Sequence, residues 1–97
     1  MITLKEAKEW LRIFEDDEDN LIDSLIKSSV AIIKSATGVS IGYINQCNDE
    51  EIKSLYSMIQ KILITDLYYE IDKENRALLS LYIQLEATYL RMKNNES

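Results

Sequence analysis

The chain has no histidine and no proline among its 97 residues, and only two glycines, one cysteine, one tryptophan and one phenylalanine. Each shortage excludes something. Without His there is no imidazole general base, no His-based triad and no HExxH zinc site. One Cys cannot close an intramolecular disulfide, so nothing points to an oxidising compartment. Few Gly and no Pro argue against a sheet-rich fold with many tight turns. No apolar run approaches the roughly 18–20 residues that span a bilayer, so no membrane partner is expected. The opening MITLKEAKEW is charged and amphipathic, unlike a signal peptide. Basic residues are short too: 11 Lys and Arg face 17 Asp and Glu, a net charge of −6. That balance disfavours a dedicated DNA binder, which needs clustered Lys and Arg on phosphates.

What is present is ordinary globular composition, 46% hydrophobic and 29% charged. The length allows one domain, 1–97, burying roughly 60–65% of its unfolded surface. The expectation is a small, soluble, acidic, cytoplasmic protein of all-α class. It should be a bundle of three to four helices, with a short N-terminal helix and two or three long amphipathic ones.

The helices are legible from caps and periodicity. Thr3-Leu4-Lys5-Glu6 fits a capping box, and Leu4, Ala7, Trp10 and Leu11 follow at helical spacing; Trp10 could anchor the core or an interface, and its place on this stripe favours the core. Five consecutive acids, Glu15, Asp16, Asp17, Glu18 and Asp19, would repel one another in mid-helix but are favoured at a helix start by the macrodipole. The stripe Leu21, Ile22, Leu25, Ile26, Ser29, Ile32, Ile33 and Ala36 then predicts a second helix over about 17–37, closed by Gly38. Residues 38–47 read as an ordered, apolar loop. Asn48-Asp49-Glu50-Glu51 opens a third helix, and Leu78, Leu79, Leu81, Tyr82, Leu85, Tyr89 and Met92 lie on a last one. A break near 72–76 is favoured over one unbroken helix from about 49 to 92, which would be long for a globular domain, and a polar tail from about 93 frays. The third helix is apolar on more than one face, because Met58, Ile64, Tyr68 and Tyr69 lie off its stripe of Ile52, Leu55, Tyr56, Ile59, Ile62, Leu63, Leu67 and Ile71, so it is either central in the bundle or buried by a partner.

Candidate chemistry is sparse. The acids Glu15–Asp19 do not fit an EF-hand, since counting from Asp17 puts Ile22 and Ser28 where Gly and a bidentate acid are required. Cys47 has no basic neighbour to lower its pKa. Arg12, Arg76 and Arg91 and the lysines at 5, 8, 27 and 34 are scattered, and read as solvated surface or single ion-pair partners. Asp66, between Leu63 and Leu67, has no second catalytic group to work with. No catalytic residue, metal or cofactor is therefore expected, and the chain reads as a non-enzyme. Six tyrosines are the informative surplus. Tyr68, Tyr69, Tyr82 and Tyr89 gather in the C-terminal half, and Tyr favours surfaces dry on one side and wet on the other. Together with Arg76, Met58 and Ile64 they are the candidate subunit or partner interface; Glu15–Asp19 form a candidate acidic surface.

The order of these segments resembles the head–tail connector proteins of tailed bacteriophages, also called adaptor or DNA-packaging proteins. The resemblance rests on Thr3-Leu4-x-x-Ala7-Lys8-x-Trp10-Leu11-Arg12-Ile13, Asp16-Asp17-Glu18-Asp19-x-Leu21-Ile22, Ala36-Thr37-Gly38, Leu67-Tyr68-Tyr69-Glu70 and Leu78-Leu79-Ser80-Leu81-Tyr82-Ile83-Gln84-Leu85. One departure is the short link near Ile71–Arg76, where many relatives have a longer loop. The resemblance implies a structural virion protein at the head–tail junction, made in the host cytoplasm. It implies a homo-oligomeric ring, twelve-fold or close to it, beneath the portal protein. That ring would extend the DNA channel, dock a downstream stopper or tail protein, and let DNA pass without sequence-specific binding. An acidic channel would repel DNA phosphates. Two other readings stay open: a small acidic helical binding module, such as an inhibitor or DNA mimic, and a metal-dependent enzyme using Glu15–Asp19.

Overall fold

The computed structural model describes residues 2–71 and 75–95. Five helices follow one another: α1 (Leu4–Leu11), α2 (Asp19–Thr37), α3 (Ile41–Gln46), α4 (Glu50–Tyr68) and α5 (Arg76–Asn95). The class is all-α, with no strand among the described residues.

Local chemistry sets most boundaries. The capping box opens α1: Glu6 N–H donates to Thr3 Oγ1 at 3.1 Å and Thr3 N–H donates to Glu6 Oε1 at 3.2 Å. Gly38, at φ 81°, closes α2 as expected. Asp49 caps α4 by accepting from Ile52 N–H at 3.1 Å. α2 starts at Asp19, so most of the acidic run precedes the helix, and Glu18 sits at the cap position without a side-chain bond to it.

The extra element is α3, which lies in the segment expected to be a loop. Ser40 Oγ accepts from Tyr43 N–H at 3.2 Å, and Ile44 is driven into the core. Six residues carry too weak a periodic signal to be read, and a helix this short is held by packing rather than propensity.

The break between the last two helices is present although no Gly or Pro enforces it. α4 ends where Glu70 takes φ 53° and Ile71 N–H reaches back to Asp66 O at 2.9 Å. α1 closes the same way, through Arg12 at φ 59° and Ile13 N–H on Lys8 O. Within the break, 72–74 lie outside the described residues. Asn75 Oδ1 restarts the chain by accepting from Leu78 N–H at 3.0 Å. α5 then runs to Asn95, past the point where fraying was expected; 96–97 are outside the described residues.

Contacts between Glu18 and Tyr68 at one end and Ser29 and Gln60 further along show that α2 and α4 run antiparallel. α5 packs on both, and α1 lies across α2 and the C-terminal half of α4. The result is elongated, 47 × 28 × 18 Å. Two apolar clusters share the long helices. One joins Ile33, Val39, Ile44, Ile52, Tyr56, Ile59, Leu63, Leu78 and Leu85. The other joins Ile2, Ala7, Leu11, Ile22, Ile26 and Ile64. Between them sits a buried polar relay: Ile2 N–H donates to Gln60 Oε1 (3.1 Å), Gln60 Nε2 to Ser29 Oγ (3.0 Å), and Ser29 Oγ to Ile26 O (2.6 Å). Satisfying Gln60 on both ends removes the penalty of burying it.

Candidate functional site

The four tyrosines read together in the sequence are spread along the molecule. Tyr68 and Tyr69 pack edge-on at the C-terminus of α4, ring centroids 4.9 Å apart. Tyr82 is half-buried midway along α5, and its phenol is raised above the ordinary value by burial and then by the charge of Asp66. Tyr89 meets Tyr43 edge-on at 4.8 Å near the opposite end, with Lys93 Nζ 5.6 Å from its ring. A seventh-neighbour pattern on a helix cannot reveal that two tyrosines on different helices face opposite ends.

Two further sequence expectations are corrected. Ile64, a candidate interface residue, is fully buried, because α1 covers that side of α4 and makes it core. Trp10, expected in the core, is 51% exposed. Its indole Nε1–H donates to Thr65 Oγ1 at 2.7 Å and Lys61 Nζ lies 5.4 Å from the ring, so the indole lies along the surface of α4 instead of under it. An indole with a polar partner for its N–H is well suited to such a boundary.

The acidic run is also less free than its sequence implies. Lys8 Nζ sits 2.8 Å from Asp16 Oδ1 and 2.8 Å from Asp19 Oδ1. Hydrogen bonds to Asp16 and Asp19 raise the Lys8 pKa, and the Lys8 bond holds Asp16 below its usual range. Glu18 accepts from the Tyr68 hydroxyl, and this bond, more than burial, raises that phenol. Glu15, Asp16 and Asp17 remain exposed. Two carboxylates thus converge on Lys8 and a third is bonded to Tyr68, and among the described residues no group of three His, Cys, Asp or Glu could hold a metal ion.

Two surfaces carry more apolar area than a lone domain needs. The first is a groove of about 560 Å³ along the outward side of α4, where Trp10 and Glu6 of α1 face Met58, Ile62, Lys61 and, further along, Lys53 and Glu50. Met58 is the exposed member foreseen in the sequence. The second is a ridge on α5. Ile83 is 69% exposed and Leu79 and Leu90 nearly half exposed, with Arg76 exposed at the helix start. Sequence reasoning missed Ile83 and Leu90, because the apolar stripe through Leu78, Leu85 and Tyr89 accounts for the fold without them. The missed signal was a second stripe about a third of a turn away. Phe14, between α1 and α2, is 88% exposed.

The family model described as phage gp6-like head-tail connector protein matches residues 1–80, from the N-terminus into the first turns of α5. No curated protein and no solved structure matches the chain significantly.

Proposed function

Because the chain belongs to the phage gp6-like head–tail connector family, we propose that it is a ring-forming adaptor at the head–tail junction of a tailed phage. In this reading copies of the chain assemble on the portal protein, prolong the DNA channel, and present a docking surface to the next tail-completion protein. The family match over 1–80 carries the proposal, and that family is a structural one.

The physical features support it. A closed ring needs one face of each copy to fit a different face of its neighbour. The groove along α4 and the ridge on α5 are candidates for two such faces, on different helices and both uncovered among the described residues. The net charge of −6 suits a channel wall on which DNA phosphates do not stick.

Absolute mass by light scattering over a concentration range, with negative-stain images, tests the reading. A discrete closed ring, formed alone or on addition of a portal ring, is the expected result. A monomer under both conditions would sink it. Reversing the acids found to line the lumen should then slow DNA ejection, and unchanged ejection would remove the charged-wall part of the proposal.

A further inference from the structure

The ridge on α5 has a spacing that its role in the monomer does not require. Arg76, Leu79, Ile83, Glu86 and Leu90 are separated by three, four, three and four residues. That alternation keeps five side chains in a strip about 80° wide on a 3.6-residue helix, the pattern of a seam that packs against another helix. All five are exposed. Among the described residues neither Arg76 nor Glu86 has an ion-pair partner.

The groove offers the complementary order. At one end Glu9 and Glu6 of α1 flank Trp10, with Lys61 beside them. Next come the apolar Trp10, Ile62 and Met58, and beyond them Lys53, which lies 4.0 Å from Glu50 and would exchange that exposed partner for the incoming acid. Along the ridge the sequence is base, two apolar residues, acid, apolar: Arg76, Leu79 and Ile83, Glu86, Leu90. Lengths agree as well. Arg76 to Glu86 spans about 15 Å of helix, and Ile62 back to Lys53 about 13 Å.

The direction of this match is antiparallel to α4, and that is the direction a ring permits. Within one chain α5 already runs antiparallel to α4. Rotation about a ring axis turns each neighbour by only a small angle when the copies are many, so the neighbour's α5 keeps nearly that direction.

We propose that the α5 ridge of one copy seats in the α1–α4 groove of the next, with Arg76 against Glu9, Leu79 and Ile83 on Trp10 and Met58, and Glu86 against Lys53. The occupant of the groove is a second copy of this chain, and the proposal rests on the ring reading above. The buried charges in the seam fix its register and direction, as single polar residues do in helical seams.

The test compares the mass of the full chain, by light scattering, with that of the variants Ile83→Ser, Arg76→Glu and Glu86→Lys and of the double variants Arg76→Glu with Glu9→Lys and Glu86→Lys with Lys53→Glu. Every substituted side chain is outside the core, and circular dichroism verifies that each variant folds. The ridge–groove contact is expected to make each single change raise the concentration needed for assembly by about tenfold or more, and each double variant to recover most of it. If the unaltered chain forms rings and the single variants form them equally well, the pairing is wrong while the ring reading stands. A two-copy particle would mean a contact that closes on itself and also overturns the pairing. Recovery of Arg76→Glu by Glu50→Lys instead of Glu9→Lys would overturn its direction. A chain that stays monomeric with and without portal removes both readings.

Discussion

The two halves of this bundle are held by different physics. The C-terminal cluster, around Ile59, Leu63 and Leu85, is dry and takes side chains from α2, α3, α4 and α5. The N-terminal cluster is smaller. It is bounded by the Gln60–Ser29–Ile2 relay on its inner side and by the Lys8 clamp on Asp16 and Asp19 at its edge. Apolar burial is non-directional and tolerates small shifts, whereas the hydrogen bonds of the relay admit one placement of the segment leading into α1. The contrast teaches that bulk burial supplies stability in one half, while in the other polar contacts decide where a short helix sits.

Core truncation should separate the halves most strongly. Ile59→Ala is expected to cost about 3–4 kcal/mol and Ile26→Ala about 2, because Ile26 lies in the smaller cluster and loses fewer apolar neighbours. Urea midpoints measure both, and equal losses would erase the distinction. Gln60→Met comes next. It keeps the length of the side chain but leaves Ile2 N–H unpaired, at a cost of about 2 kcal/mol. Amide exchange should quicken first in α1; uniform quickening through α4 and α5 would mean that the relay does not act locally.

Tyr56→Phe probes the dry half. The Tyr56 side chain is fully buried, its hydroxyl has no hydrogen-bond partner among the described residues, and burial pushes its pKa up to about 12. Removing the hydroxyl should raise stability by about 1 kcal/mol; a loss would show that the oxygen has a partner.

The smallest effect is expected at the Lys8 clamp, and it depends on pH. Asp16 is depressed from 3.8 in the folded chain, so its contribution is complete above that value and disappears as pH falls through the lowered one. Trp10, the single tryptophan and a residue of α1, reports on that half. Its fluorescence should change on acidification below pH 3.8 before the far-ultraviolet signal of the long helices does. Coincident changes would join the two halves into one unit.

The legibility of the chain follows the same division. The Thr3 capping box, the Asp49 cap, Gly38 and the stripes of α2 and α4 are local features, fixed by residues a few positions apart, and the sequence is enough to place them. The all-α class and the family resemblance follow from their order. α3 escaped because six residues have no measurable period and its stability comes from burying Ile44. The places of Trp10, at the surface, and Ile64, in the core, were open because an amphipathic stripe says which side of a helix is apolar but not which neighbour covers it.

By itself, then, the sequence determined the helices other than α3, the caps at Thr3, Gly38 and Asp49, and that these 97 residues hold no His and no Cys pair, because these depend on backbone hydrogen bonding and residue type over short spans. Only the tertiary structure decided that α1 lies over Ile64, that Lys8 gathers two of the five acids, and that Leu79, Ile83 and Leu90 stay outside. Those outcomes depend on how helices far apart in the chain share a limited apolar surface. With α1, α2 and α4 packed around one seam and α5 completing the other, one face of α5 is left uncovered among the described residues.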